Sequence, residues 1–137
     1  MCEEALRLYP VVGAVTRRLR QPMTLRGYAL PAGIAVGAAI PPTHLDATLY
    51  PDPRSFRPER FLERTYTPFE YLPFGGGARR CVGAAFAVYE MKVVLGSLLA
   101  QHRFGLAEGR PITPRPRTFT IGPQGGVRMM YHGPADG

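Results

Sequence analysis

Phe74-Gly75-Gly76-Gly77-Ala78-Arg79-Arg80-Cys81-Val82-Gly83 is the stretch on which the reading of this chain turns. A loop nearly bare of side chains delivers one cysteine to the start of a long apolar segment, with two arginines immediately before it. Consecutive glycines let the backbone approach a flat ligand and turn its amides toward a sulfur. A helix N-terminus and neighbouring positive charge both favour a sulfur that carries negative charge, as a metal ligand does. The plainer alternative for Cys81 is a small buried hydrophobe in a tight turn.

Downstream, residues 84–101 predict a helix: Glu90, Ser97 and Gln101 recur on one stripe and the rest is almost wholly apolar, which predicts burial on most sides. The tail, 115–131, reads as two short strands around Gly122-Pro123-Gln124-Gly125-Gly126, with 133–137 as a frayed end. Upstream, 41–73 reads as an irregular loop containing Tyr50-Pro51-Asp52-Pro53 and Phe56-Arg57-Pro58-Glu59-Arg60-Phe61, where prolines are too dense for a continuous helix or central strand. A loop of that length inside a compact domain is usually functional. Residues 11–40 are β-like, with 23–30 and 34–40 predicted as the arms of a hairpin turning at Pro31-Ala32-Gly33. Residues 2–9 predict a helix stopped by Pro10, on which Glu4 and Arg7 share a face. That helix starts with no capping residue ahead of it, which suggests further chain upstream.

At 137 residues and 45% hydrophobic content the chain can fill one modest core. Its formal net charge of +7 comes almost entirely from arginine, Lys92 being the only lysine. Arginine in company with many Gly, Ala and Pro points to a G/C-rich coding sequence. With no reading helix or aromatic platform, no nucleic-acid partner is expected. Cys2 and Cys81 lie in unlike contexts and read as reduced thiols. No apolar run approaches the roughly 20 residues that span a bilayer, and Glu3 and Glu4 stand where a signal peptide carries positive charge. The expectation is a soluble, cytoplasmic protein of bacterial type, with an anchor further upstream left open.

The decapeptide 74–83 resembles the haem-binding loop of the cytochrome P450 family, with Phe, Gly, Arg, Cys and Gly at the restricted positions of that signature. Glu4-Ala5-Leu6-Arg7 resembles the family's Glu-x-x-Arg motif, and Pro58-Glu59-Arg60-Phe61 resembles the segment whose arginine joins it. His44-Leu45-Asp46 ahead of Tyr50-Pro51-Asp52-Pro53 also resembles a family segment, although Ala47 stands where a proline is common. The resemblance runs from Glu4 to about Tyr131. It implies an α+β chain, the C-terminal part of the mainly helical cytochrome P450 fold and an incomplete domain. In order, that part comprises the Glu-x-x-Arg helix (4–9), a β region (11–40), a meander-like loop (41–73), the haem-thiolate loop (74–83), a buried helix (84–101) and a β tail (115–131).

The resemblance further implies that Cys81 is the axial thiolate of a haem b iron, within a cofactor-binding set that includes Phe74, Gly75 and Gly83. Phe74 would shield the sulfur and Phe86 pack beneath the porphyrin. Arg79 and Arg17 would pair with the propionates through their forked donors. Glu4, Arg7 and Arg60 would form a buried charge network that locks the loop, a structural role. His44 reads as a hydrogen-bond donor anchoring its loop. The implied activity is monooxygenation, one atom of O2 entering an apolar organic substrate touched by residues 11–15 and 119–121. Electrons would come from a ferredoxin- or flavoprotein-type donor drawn to Arg79, Arg80 and Arg103. The family's oxygen-activating helix precedes the Glu-x-x-Arg helix, so the chain is expected to carry the proximal half of the chemistry and to be inactive alone. A non-catalytic fragment or protein-binding module is the alternative.

Overall fold

The computed structural model describes residues 1–107 and 111–135. Its first element, α1 (Cys2–Leu8), has Glu3 and Glu4 in the first turn and Arg7 in the last, the order that the helix dipole favours. Tyr9, restrained by Pro10, has φ, ψ of −128°, 65° and ends it.

Residues 14–39 double back as one long ribbon. Its outer ladder pairs β1 (Ala14–Arg18) with β4 (Ala35–Ala39), Ala14 opposite Ala39 and Arg18 opposite Ala35. The inner ladder pairs β2 (Met23–Leu25) with β3 (Tyr28–Leu30), Met23 opposite Leu30. Both keep one register about a tip at Arg26-Gly27, and between them Leu19 N–H donates to the Ile34 carbonyl at 2.9 Å. Arg26 and Gly27 have φ of 48° and 84°. Paired left-handed residues twist a two-residue turn in the sense that the strands require. This corrects the expected hairpin: 23–30 is two strands and their turn, and Gly33, at φ 86°, bends the returning arm instead of forming the tip.

The stretch expected to be irregular throughout contains two short helices, α2 (Ile40–His44) and α3 (Arg60–Glu63). Pro41 lies in the first turn of α2, where no partner for its missing N–H is needed.

The long helix α4 (Ala84–Gln101) has the expected bounds, but its expected burial is corrected. Only Ala84 is buried; Phe86, Tyr89, Val93, Val94, Leu98 and Leu99 are exposed. Among the described residues α4 packs against α1 and β5 (His102–Leu106), and Lys92 pairs with Glu3 at 2.8 Å. An apolar composition demands cover but does not say which part of a chain provides it. By length and composition alone α4 could also cross a membrane, with a mean hydropathy of 1.2 over 18 residues. The expectation that no stretch would qualify overlooked this, although a core helix passes the same measure.

In the tail, β5 pairs antiparallel with β8 (Met129–Pro134), and β6 (Pro114–Arg117) forms a hairpin with β7 (Thr120–Pro123) that turns at Thr118, φ 55°. Two strands around 122–126 are therefore corrected to three tail strands, with β6 and β7 turning four residues earlier than Gly122. Gly133 and Pro134 belong to β8, not to a frayed end; residues 136–137 lie outside the described residues. The most deeply buried large side chains are mostly polar: Arg7, Arg60, Tyr50, Ile40, His44 and Glu4.

Candidate functional site

The buried charges form one cluster. Arg7 Nε and Nη2 donate to the two Glu4 carboxylate oxygens at 2.7 and 2.8 Å, a bidentate fork between side chains with no solvent exposure. Arg60 Nε and the Arg57 amide donate to Glu4 Oε1 at 3.1 and 2.9 Å. The i, i+3 spacing on α1 accounts for the fork. It does not account for Arg60, which α3 brings from 56 residues away.

One carboxylate facing two guanidiniums leaves a formal charge of +1, which backbone carbonyls help to solvate. Arg7 donates to the carbonyls of His44, Pro53 and Ser55 at 2.6, 2.8 and 3.3 Å. Arg60 donates to those of Pro51 and Asp52 at 3.0 and 3.4 Å. Residues 51–55 make no helix or strand, so their carbonyls need partners, and the guanidiniums provide them. Among the described residues no buried side-chain nitrogen or oxygen lacks a hydrogen bond. Burial opposes the Glu4 carboxylate, but the Arg7 hydrogen bonds, the Arg57 amide and both guanidinium charges outweigh it and hold its pKa below the usual range.

Aromatic rings cap this cluster. Tyr50, fully buried, lies under the Arg7 guanidinium at 5.0 Å and donates its hydroxyl to the Glu70 carbonyl at 2.9 Å. Burial pushes its phenol pKa up. Tyr71 stacks on His44 at 5.7 Å and donates to the Glu3 carbonyl at 3.0 Å.

His44 is more than the loop anchor expected from sequence. Its Nδ1 is 3.0 Å from the Arg7 carbonyl, and its Nε2 is 2.8 Å from the Leu72 amide nitrogen. A carbonyl only accepts and an amide N–H only donates, so Nδ1 carries the proton and Nε2 accepts. Burial lowers the ring's pKa, helped by the Arg7 charge and opposed by the bond to the Arg7 carbonyl.

Leu72 leads into the glycine loop. Its carbonyl accepts the Gly75 amide at 2.9 Å, and the Phe74 carbonyl accepts the Cys81 amide at 2.9 Å. Gly75 and Gly77 have φ of 71° and 67°, the left-handed region in which glycine is unstrained. Gly76 has no room for a side chain: a Cβ there would meet Leu72 and the Pro68 carbonyl oxygen at 3.1 Å. A 3₁₀ turn, Gly77–Arg79, then lifts Cys81 to the surface three residues ahead of α4, where the Cys81 carbonyl accepts the Ala84 amide at 3.4 Å. Cys81 is exposed and Cys2 buried, and both are free thiols. Gly83 adjoins the sulfur; a Cβ there would touch Sγ at 3.8 Å.

The structure thus brings Glu4, Arg7 and Arg60 together and gathers Phe74, Gly75 and Gly83 around the Cys81 loop. It also sets β1 against that loop, since a Cβ on Gly75 would lie 3.7 Å from Val15 Cγ1. Ile121 N–H donates to the Val11 carbonyl at 2.6 Å, which joins the two apolar segments expected to touch a substrate. Arg79 and Arg17 are not brought to the sulfur by any contact. Arg79 is exposed on the 3₁₀ turn, and Arg17, in β1, donates to the Thr16 carbonyl at 2.7 Å. Phe86 is exposed in the first turn of α4.

Among the described residues no three His, Cys, Asp or Glu side chains converge as a metal cage. A metal at Cys81 would find one soft sulfur ligand and would have to bring its other ligands with it, as a porphyrin iron does. Tyr50, Tyr71 and the Leu72 amide escaped the sequence reading. The only available signal was the crowding of tyrosines at 50, 66 and 71 between charged motifs.

Comparison with known proteins agrees with this geometry. A family model described as cytochrome P450 matches residues 1–127. A Mycobacterium tuberculosis protein provisionally named cytochrome P450 135B1 is 40% identical over 136 residues, 99% of this chain and 29% of its own length. Cytochrome P450 4c21 of Blattella germanica is 41% identical over 105 residues, 74% of this chain and 21% of its own. The solved structure of retinoic acid-bound cyanobacterial CYP120A1 superposes with a TM-score of 0.86 at 38% identity, over 96% of this chain and 31% of that one. The chain therefore spans about three tenths of the length of such relatives.

Proposed function

The chain belongs to the cytochrome P450 family, a family of haem-iron monooxygenases, and on that premise we propose that it is the proximal, thiolate-supplying part of such an enzyme, with Cys81 the axial ligand. The observation that carries the reading is an exposed, unpaired cysteine fixed by its own backbone at the end of a glycine loop, directly ahead of α4. When bound, haem supplies the oxygen-activating chemistry, for which a thiolate ligand provides electron density.

Each residue of the chain then has a limited task. The Phe74 carbonyl holds the Cys81 amide and so sets the height of the sulfur above the loop. Gly75 and Gly83 keep side chains away from a macrocycle. Arg79 and Arg17 would pair with its propionates, and Phe86 would offer it an apolar edge. Glu4, Arg7 and Arg60 touch no cofactor; they keep 44–60 in the shape that supports the loop. Residues 11–15 and 119–121, joined by the Ile121 amide on the Val11 carbonyl, would offer apolar side chains to an apolar substrate. Arg80 and Arg103, both exposed, offer positive charge to an acidic electron donor of ferredoxin or flavoprotein type. Turnover is assigned to a protein of the relatives' full length, and a cytoplasmic setting is proposed for it because relatives such as the Mycobacterium tuberculosis protein are bacterial.

The test is spectroscopic. The chain is mixed with haem, reduced and exposed to carbon monoxide, beside Cys81→Ala and Cys2→Ala. The piece alone is expected to hold haem weakly or not at all; where haem is taken up, a red-shifted, thiolate-type Soret band is expected in the wild type and in Cys2→Ala and not in Cys81→Ala. The same band in Cys81→Ala would refute the assignment.

A further inference from the structure

Between the buried charge cluster and the Cys81 loop there is one continuous line of hydrogen bonds, and it passes through a histidine ring. We propose that His44 is a positioning residue for Cys81: its imidazole takes its place from the Arg7 carbonyl and hands it to the Leu72 amide, and so fixes the base of the loop that carries the sulfur. The line runs from Glu4 and Arg60 to Arg7, from the Arg7 carbonyl to Nδ1, and from Nε2 to Leu72 N–H. Leu72 then holds Gly75, and Phe74, between them, holds the Cys81 amide. Arg7 grips the same histidine a second time, its Nη1 donating to the His44 carbonyl at 2.6 Å. Ring and backbone of His44 are therefore both fixed by one arginine, and the ring has no exposed edge.

Both ring nitrogens are committed to opposite roles, so a second proton on the ring would set N–H against the Leu72 N–H and break the line at that link. The groups facing the ring are Arg7 from α1, Tyr50 from the loop after α2, and Tyr71 from the segment ahead of the glycines. Glu4 is engaged by Arg7 and Arg60, and Asp46 is bonded to Thr48. Among the described residues no carboxylate makes a hydrogen bond or ion pair with the ring to stabilise its cation.

This inference deepens the proposed function and rests on it for the meaning of a well-placed sulfur, but it can be tested without haem. In His44→Gln the amide oxygen can replace Nε2 toward Leu72, whereas in His44→Asn the amide nitrogen can replace only Nδ1 toward Arg7. Amide hydrogen exchange is read at Leu72 and Cys81, with Tyr9 and Leu19 as references in α1 and the ribbon. His44→Asn should lower protection at Leu72 and Cys81 together by at least about tenfold relative to the references, and His44→Gln by less than about threefold. Equal effects of the two variants, or loss at Leu72 with Cys81 unchanged, would overturn the proposal, since a residue that only packs does not distinguish its two nitrogens.

Should neither variant fold, the wild type is titrated instead. Leu72 and Cys81 should lose protection together as pH falls below 6.5, ahead of Leu19; loss of all three at once would overturn the proposal. In the haem-loaded chain, His44→Asn should shift the carbon monoxide band from the thiolate toward the thiol form, and His44→Gln should not. A thiolate band that persists in Cys81→Ala beside the intact exchange pattern refutes the functional reading alone; Leu72 and Cys81 uncoupled in exchange, whatever the band, refutes this one alone.

Discussion

Glu4→Gln perturbs the buried cluster by one charge at nearly constant volume. In the native protein Glu4 Oε1 accepts from Arg7, Arg60 and the Arg57 amide, and Oε2 accepts from Arg7 Nε at 2.7 Å. A glutamine can place its oxygen at one of those positions only. With the oxygen at Oε1, its amide nitrogen meets the Arg7 Nε donor head-on, and one charge-assisted bond is lost, about 1.5–3 kcal/mol. The formal charge of the cluster also rises from +1 to +2 with no exposure to disperse it. Breaking a buried pair from one side costs about 3–5 kcal/mol, because the surviving charge stays buried. Folded domains hold about 5–15 kcal/mol in total, so the variant should be only marginally folded. Urea unfolding followed by far-UV circular dichroism at neutral pH should show a midpoint lower by about 2 M, for an m-value near 2 kcal/mol/M. A loss below about 1 kcal/mol would refute the reasoning, since it would mean that water reaches the fork in solution.

Three further outcomes follow from the same geometry. Stability should fall on acidification in two stages: His44 has a lowered pKa in the fold, so below 6.5 the unfolded chain takes up a proton that the native one refuses, and below 4.5 the depressed Glu4 adds a second loss in the same direction. Urea midpoints that stay level from pH 8 to about 5 would contradict the first stage. Tyr50→Phe removes the donor to the Glu70 carbonyl and should cost about 1 kcal/mol by the same unfolding measurement, with Arg7 still over the ring. Gly77→Ala has free space for its methyl but φ of 67°, so it should cost about 1–2 kcal/mol through backbone strain alone and leave the m-value unchanged.

Local rules carried the sequence reading a long way. The C-terminal limit of α1 follows from Pro10, and α4 follows from the apolar run after the glycines with Glu90, Ser97 and Gln101 on one stripe. Glu4, Arg7, Arg60 and Cys81 could be singled out because their motifs are short and their residue types restricted. Misreadings came where a local signal competed with a distant partner. Arg26-Gly27 lies between two short apolar runs and is itself a turn signal, but Pro31-Ala32-Gly33 is the louder one; the choice between them was made by β1, which pairs with β4 and forces the tip to the midpoint of the ribbon. The last tail strand differs for the same reason, because β8 takes its position from β5 and not from the glycines at 122–126, whereas β7 differs for a local one, its hairpin with β6 turning at Thr118.

By itself, the sequence determined the helices α1 and α4 and set apart Glu4, Arg7, Arg60 and Cys81 by restricted motifs. Helix limits, left-handed glycines and motif spacing all arise from interactions within a few residues, so they can be read along one dimension. The tertiary structure alone decided that the heart of this chain is a charged and aromatic cluster, that Arg60 completes the Glu4–Arg7 fork from 56 residues away, and that His44 connects that cluster to the cysteine loop. It also decided that α4, apolar enough to be a core helix, has most of its surface exposed among the described residues. Burial and hydrogen-bond partners are properties of pairs distant in sequence, and no local pattern encodes which distant residue will arrive.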